Sequence, residues 1–115
     1  MKTYFAHATA LVESLTIGQG TRIWAFTHIL DGAVIGQNCN IGDHCFIESG
    51  VVIGDGVTIK NNTSSWEGVT IERYAFIGPN VVFTNDSRPR SPRSPVVAER
   101  YATKGWLRNT LIREG

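Results

Sequence analysis

The stretch Ile35-Gly36-Gln37-Asn38-Cys39-Asn40-Ile41-Gly42-Asp43-His44-Cys45-Phe46 repeats after six residues: isoleucine, glycine, two polar residues, cysteine and a variable sixth. Outward from it, the isoleucines keep the interval, back through Ile29, Ile23 and Ile17 and on through Ile47, Ile53 and Ile59. Ser65 interrupts the ladder, which resumes at Ile71 and Ile77. Leu11 precedes it in phase and Phe83 follows it, so thirteen hexads run from Leu11 to Arg88. A helix has a side-chain period of about 3.6 residues and a strand one of about two, so neither accounts for the ladder.

The position four after each rung carries small or β-branched residues: Leu15, Thr21, Thr27, Ala33, Cys39, Cys45, Val51, Val57, Thr63, Val69, Ala75, Val81 and Ser87. Glycine, asparagine and aspartate recur beside them, where tight corners need them. This is the pattern of a parallel β-helix, in which three hexads complete one triangular coil and each residue stacks on the one eighteen positions away. Thirteen hexads make a little over four coils, a prism about 20 Å tall at roughly 4.8 Å per strand.

At 115 residues the chain is expected to form a single all-β domain, with 1–10 as an N-terminal cap, 11–88 as hexad coils, 89–109 as a projecting Pro/Arg-rich loop and 110–115 re-entering a further coil. Eleven basic residues against ten acidic give no electrostatic reason for a nucleic-acid or membrane partner. No apolar run reaches membrane length and the N-terminus lacks a signal-peptide core, so a cytoplasmic location is expected. Cys39 and Cys45 both fall on the inward small position, where a thiol is an apolar filler.

Several residues stand out as site candidates. Trp24 and Phe26 flank a rung and suggest a face covered by another subunit, or, for Trp24, a surface on which substrate stacks. Shifted by one coil, His28 falls on Phe46 and His44 on Asn62, so the histidines do not converge and no metal site is expected. Two polar stacks remain: His44, Asn62 and Asn80, and Asp31, Ser49, Glu67 and Asn85. Either is satisfied as a hydrogen-bonded corner ladder. The second lies beside Ser65-Trp66-Glu67, where the rung is lost, and is the better functional candidate. Arg88, Arg90 and Arg93 have the guanidinium forks that suit phosphates, and equally suit solvated loop charges or contacts with a neighbouring subunit.

Taken together, Thr21-Arg22-Ile23-Trp24-Ala25-Phe26-Thr27-His28, Asn38-Cys39-Asn40-Ile41-Gly42, Lys60-Asn61-Asn62, Trp66-Glu67-Gly68-Val69-Thr70-Ile71-Glu72 and Gly78-Pro79-Asn80-Val81-Val82-Phe83-Thr84-Asn85-Asp86, followed by Pro89-Arg90, resemble the hexapeptide-repeat nucleotide-sugar 3-N-acetyltransferases. The resemblance implies a left-handed β-helix and a homotrimer with active sites between adjacent prisms. It also implies acetyl-CoA as acyl donor and a dTDP- or UDP-linked 3-amino-deoxysugar as acceptor, for cell-surface glycan synthesis. Asn85 matches the asparagine beside the sugar amine. Glu67, one coil below, and His28 are candidates for proton transfer, and Trp24, Asn62, Trp66, Asn85, Arg88 and Arg90 for substrate binding. Many relatives have a histidine where this chain has Ala25, and they continue for further coils that carry much of the coenzyme groove. The alternative is therefore a shorter, non-catalytic trimeric β-helix that binds a nucleotide sugar or serves in assembly.

Overall fold

A computed structural model describes residues 2–115. The hexads form the expected parallel β-helix, left-handed as the resemblance implies: three five-stranded parallel sheets make the walls of a triangular prism. The first wall stacks Phe5–Ala6, Arg22–Ile23, Asn40–Ile41, Thr58–Ile59 and Phe76–Ile77. The second stacks Leu11–Val12, His28–Ile29, Phe46–Ile47, Ser64–Ser65 and Val82–Phe83. The third stacks Thr16–Ile17, Val34–Ile35, Val52–Ile53, Val69–Ile71 and Thr110–Ile112.

Each strand sends its second or last residue to the axis. Ile23, Ile29, Ile41 and Ile59 are fully buried, and Ile35, Ile47, Ile53 and Ile71 are nearly so. Corners follow the same count. Every sixth residue from Gly20 to Asn80 has a positive φ, among them the non-glycines Phe26, Asn38, His44, Asn62, Tyr74 and Asn80. Asparagine and histidine tolerate that region better than most side chains, whereas Phe26 and Tyr74 hold it at a cost.

The inward small residues form polar seams between corners. Thr21 and Thr27 donate to the Gly36 and Gly42 carbonyls at 2.7 and 2.6 Å and accept from the Cys39 and Cys45 amides at 3.0 and 3.1 Å. The thiols of Cys39 and Cys45 continue the seams toward the Gly54 and Lys60 carbonyls. Burial raises both thiol pKa values, against smaller opposing hydrogen bonds.

The first coil departs from the hexad reading. Ala6 pairs with Ile23 and Val12 with Ile29, seventeen residues apart, whereas Ile17 pairs with Ile35 at eighteen. One side, from Val12 to Ile17, has lost a residue. Val12 is thus the rung and Leu11 points outward, and Ser14 rather than Leu15 turns in. Ser14 is buried and its hydroxyl donates to the Ala33 carbonyl at 2.6 Å, while Leu15 is 95% exposed. Phe5–Ala6 is a strand of this shortened coil, not a separate cap.

Ser65 keeps its place in the ladder, paired with Ile47 on one side and Phe83 on the other. Beyond Phe83 the chain leaves the prism, so Ser87 is exposed instead of inward. Ile112 pairs with Ile71 after the excursion.

Candidate active site

The corner between the second and third walls collects the polar residues of the best sequence candidate. Here Trp66 and Glu67 stand one coil from Thr84 and Asn85, because the regular coil places residues eighteen apart in register. A cavity of about 590 Å³ opens at this corner, lined by Trp66, Val82, Thr84, Asn85, Asp86 and Pro89. Its wall is mostly apolar, with Thr84 and Asn85 offering polar side chains to a ligand.

Asn85 is fixed on both sides. Its Nδ2 donates to the Glu67 carbonyl at 3.0 Å, and its own carbonyl accepts from the Arg108 amide at 2.8 Å. That commitment of Nδ2 identifies Oδ1 as the acceptor left over. Asp86 binds the departing loop: Oδ1 accepts from the Arg88 amide at 2.9 Å and from the Arg100 guanidinium, and Oδ2 from the Tyr101 hydroxyl at 2.8 Å. Burial alone would raise the Asp86 pKa. The hydrogen bonds from Arg88, Tyr101 and Arg100, with the charge of Arg100, outweigh it and hold the carboxyl below its ordinary value. The sequence reading did not single out Asp86. Its signal was the position itself, the last residue before the Pro/Arg-rich segment.

Glu67 contributes differently from the expected proton acceptor. Its carbonyl orients Asn85, but its carboxylate meets Lys104 Nζ at 3.0 Å and its side chain lies over Gly50, outside the cavity lining. Glu48 Oε1 accepts from the Glu67 amide at 2.7 Å and so holds this corner.

Trp66 is 37% exposed and packs on Phe46 at 5.1 Å between centroids, and Phe46 in turn meets the His28 ring edge at 5.8 Å. These rings form a strip down the second wall. His28 lies three strand steps from Val82, about 14 Å away, too far to share a reacting atom with Asn85 of the same chain. Its Nε2 instead faces Glu13 Oε1 at 3.0 Å.

Trp24 and Asn62 stand on another edge, between the first and second walls. Trp24 Nε1 donates to Asn40 Oδ1 at 2.9 Å, and the indole packs with Phe5 and the Arg22 guanidinium. Asn62 holds a left-handed corner. Of the loop arginines, Arg90 is anchored through its amide to the Tyr101 oxygen at 2.9 Å, and Arg88 through its amide to Asp86. Among the described residues no hydrogen bond engages the Arg88 guanidinium, and no helix is long and apolar enough to cross a membrane.

Residues 14–49 match the protein family described as bacterial transferase hexapeptide (six repeats). The chain is 59% identical over 39 residues to a dTDP-3-amino-3,6-dideoxy-alpha-D-galactopyranose 3-N-acetyltransferase of Aneurinibacillus thermoaerophilus, covering 34% of this chain and 20% of that protein. It is 48% identical over 40 residues to acyl-[acyl-carrier-protein]–UDP-N-acetylglucosamine O-acyltransferases of Brucella ovis and Brucella canis, covering 34% of this chain and 14% of each. The match thus spans a fifth or less of the length of these curated relatives.

Proposed function

We propose that this hexapeptide-repeat protein is an N-acetyltransferase that moves an acetyl group from acetyl-CoA to the 3-amino group of a dTDP- or UDP-linked 3-amino-deoxysugar. The cavity holding a fixed Asn85 is the observation that carries this reading. The likeness to a dTDP-amino-sugar 3-N-acetyltransferase supports it.

In the reaction the amine nitrogen bonds to the thioester carbonyl carbon, the carbon–sulfur bond breaks, and the proton the amine gives up ends on the leaving sulfur, directly or through solvent, so that coenzyme A departs as its free thiol. Such a reaction needs a neutral amine held in line, and positioning supplies much of the acceleration. Asn85 Oδ1, left free by the Nδ2 contact with the Glu67 carbonyl, accepts one N–H of the amine and aims its lone pair. Trp66 offers an indole face to the sugar or base. On either side of Pro89 at the cavity wall, Arg88 offers its guanidinium to the diphosphate, as does Arg90 with the donors left beyond its Nη1 contact to the Pro89 carbonyl. The strip of His28, Phe46, Trp66 and Val82 suits the donor's uncharged arm and a neighbouring prism that covers it in a homotrimer.

The test is acetyl transfer from acetyl-CoA to dTDP- and UDP-linked 3-amino sugars, read as acetylated product by mass spectrometry. Asn85→Ala should lower kcat/KM about a hundredfold with unaltered melting. Wild-type-like turnover in that variant would remove Asn85 from the mechanism. Nucleotide-sugar binding without any transfer would leave a binding module in place of an enzyme.

A further inference from the structure

We propose that Asp86 is the positioning residue of this site: it holds the segment from Arg88 to Tyr101 so that Pro89 walls the cavity and Arg88 and Arg90 are set for an anionic acceptor. The second half of that statement rests on the acceptor reading given above; the first half does not.

The segment has little else to order it. Residues 88–93 are all exposed and carry proline, serine and arginine with no apolar side chain beyond the prolines. Such a sequence buries too little surface to hold one conformation unaided. The Asp86 side chain, by contrast, is 9% exposed and gathers donors from three residues of the loop. Tyr101 extends its reach, because the same phenol oxygen that donates to Asp86 accepts the Arg90 amide at 2.9 Å. One carboxylate thus ties down both residues that flank Pro89, and Pro89 lines the cavity. The far end of the loop is pinned separately, by the Asp86 bridge to Leu107 and the Arg108 amide on the Asn85 carbonyl.

A carboxylate fits this role because all three partners donate to it, whereas an amide loses the charge that Arg100 pairs with and turns an N–H either toward the donor-only Arg88 and Arg100 or toward Tyr101, reversing that bond. Asp86→Asn therefore keeps the shape and breaks the latch. Tyr101→Phe removes two bonds, the one to Asp86 Oδ2 and the one from the Arg90 amide, and leaves the charge with its Arg88 and Arg100 donors, and Asp86→Glu keeps the charge on a longer arm.

The experiment has two readouts on the full chain. Without ligand, tryptic cleavage after Arg90 and Arg93 should run about tenfold faster in Asp86→Asn, since cleavage follows the population of the opened loop. Tyr101→Phe should show a smaller change in the same direction, and Asp86→Glu should recover part of the protection. The far-UV melting of the prism should stay at its wild-type midpoint. With ligand, dTDP and UDP titrated into Asp86→Asn should bind about tenfold more weakly than to wild type. Cleavage unchanged in both Asp86→Asn and Tyr101→Phe overturns the proposal. Faster cleavage with unchanged nucleotide affinity overturns the positioning role. If wild-type protein binds neither nucleotide, the acceptor reading fails, and cleavage alone decides whether Asp86 holds the wall.

Discussion

Phe83 stands in register on Ser65, at the one rung between Ile23 and Ile77 that is not isoleucine. The Ser65 hydroxyl is buried on the axis and has no hydrogen-bond partner among the described residues. Phe83, the larger residue one coil on, is half-buried and packs against the core. The cost is a desolvated hydroxyl with nothing to bond. Ser65→Ala should therefore stabilise the protein by about 1 kcal/mol, read as a higher midpoint in denaturant unfolding. A lower midpoint would mean that the hydroxyl is bonded in solution.

Corner glycines differ sharply in what surrounds them. A Cβ on Gly18 would meet the backbone of Gly36 and Gln37 at 2.4 to 2.6 Å, and backbone cannot move aside as a side-chain tip can. Among the described residues nothing lies within 4 Å of the corresponding point on Gly78. Gly18→Ala is expected to destabilise by about 3 kcal/mol and Gly78→Ala to be nearly neutral, in parallel chemical melts. Equal effects would show that the coils separate freely at the first corner.

The two thiols test the seams. Burial pushes the Cys39 and Cys45 thiols up from their ordinary values, and each sulfur faces a carbonyl. Thiolate is the reactive form, so a thiol reagent at neutral pH should modify neither residue faster than the prism unfolds. Rapid labelling of the native protein by one equivalent would place that cysteine outside the seam.

Asp86 sets the acid limit of the loop. Its folded-state carboxyl lies below the ordinary value, so its contribution is complete above that value and is lost as pH falls through the lowered one. Hydrogen-exchange protection of the Arg88 and Arg90 amides should stay level from about pH 8 to about pH 5 and decline only beneath the usual carboxylate range. Loss of protection near pH 6 would assign the loop to some other group.

The hexad ladder made the architecture legible because one interval dictated rungs, corners and stacking together. Asn85 and Trp66 were legible for the same reason, as the eighteen-residue step brings their corners together. Two kinds of information were not periodic. Leu11 and Leu15 read as inward since nothing in the local residues marks the shortened side, and only pairing with His28 and Ile29 reveals it. Side-chain aim was also hidden: Glu67 and Asn85 share a corner, yet the Glu67 carboxylate turns to Lys104, thirty-seven residues on, which no stacking rule reaches. Trp24 and Asn62 entered as substrate contacts through the resemblance, and within one chain both stand at the edge between the first and second walls, away from Asn85.

The side from Val12 to Ile17 is one residue short, and the path from Ile71 to Ile112 spans forty-one residues, yet every rung still meets its neighbour. What the prism conserves is therefore the tally of axial side chains, and contour length between them is free to vary. Gain or loss of residues at a corner is a local edit that leaves later coils in step. New chemistry can be grafted at any corner by lengthening it, and the loop anchored at Asp86 is such a graft, its twenty-odd residues fitted between two rungs that behave as neighbours.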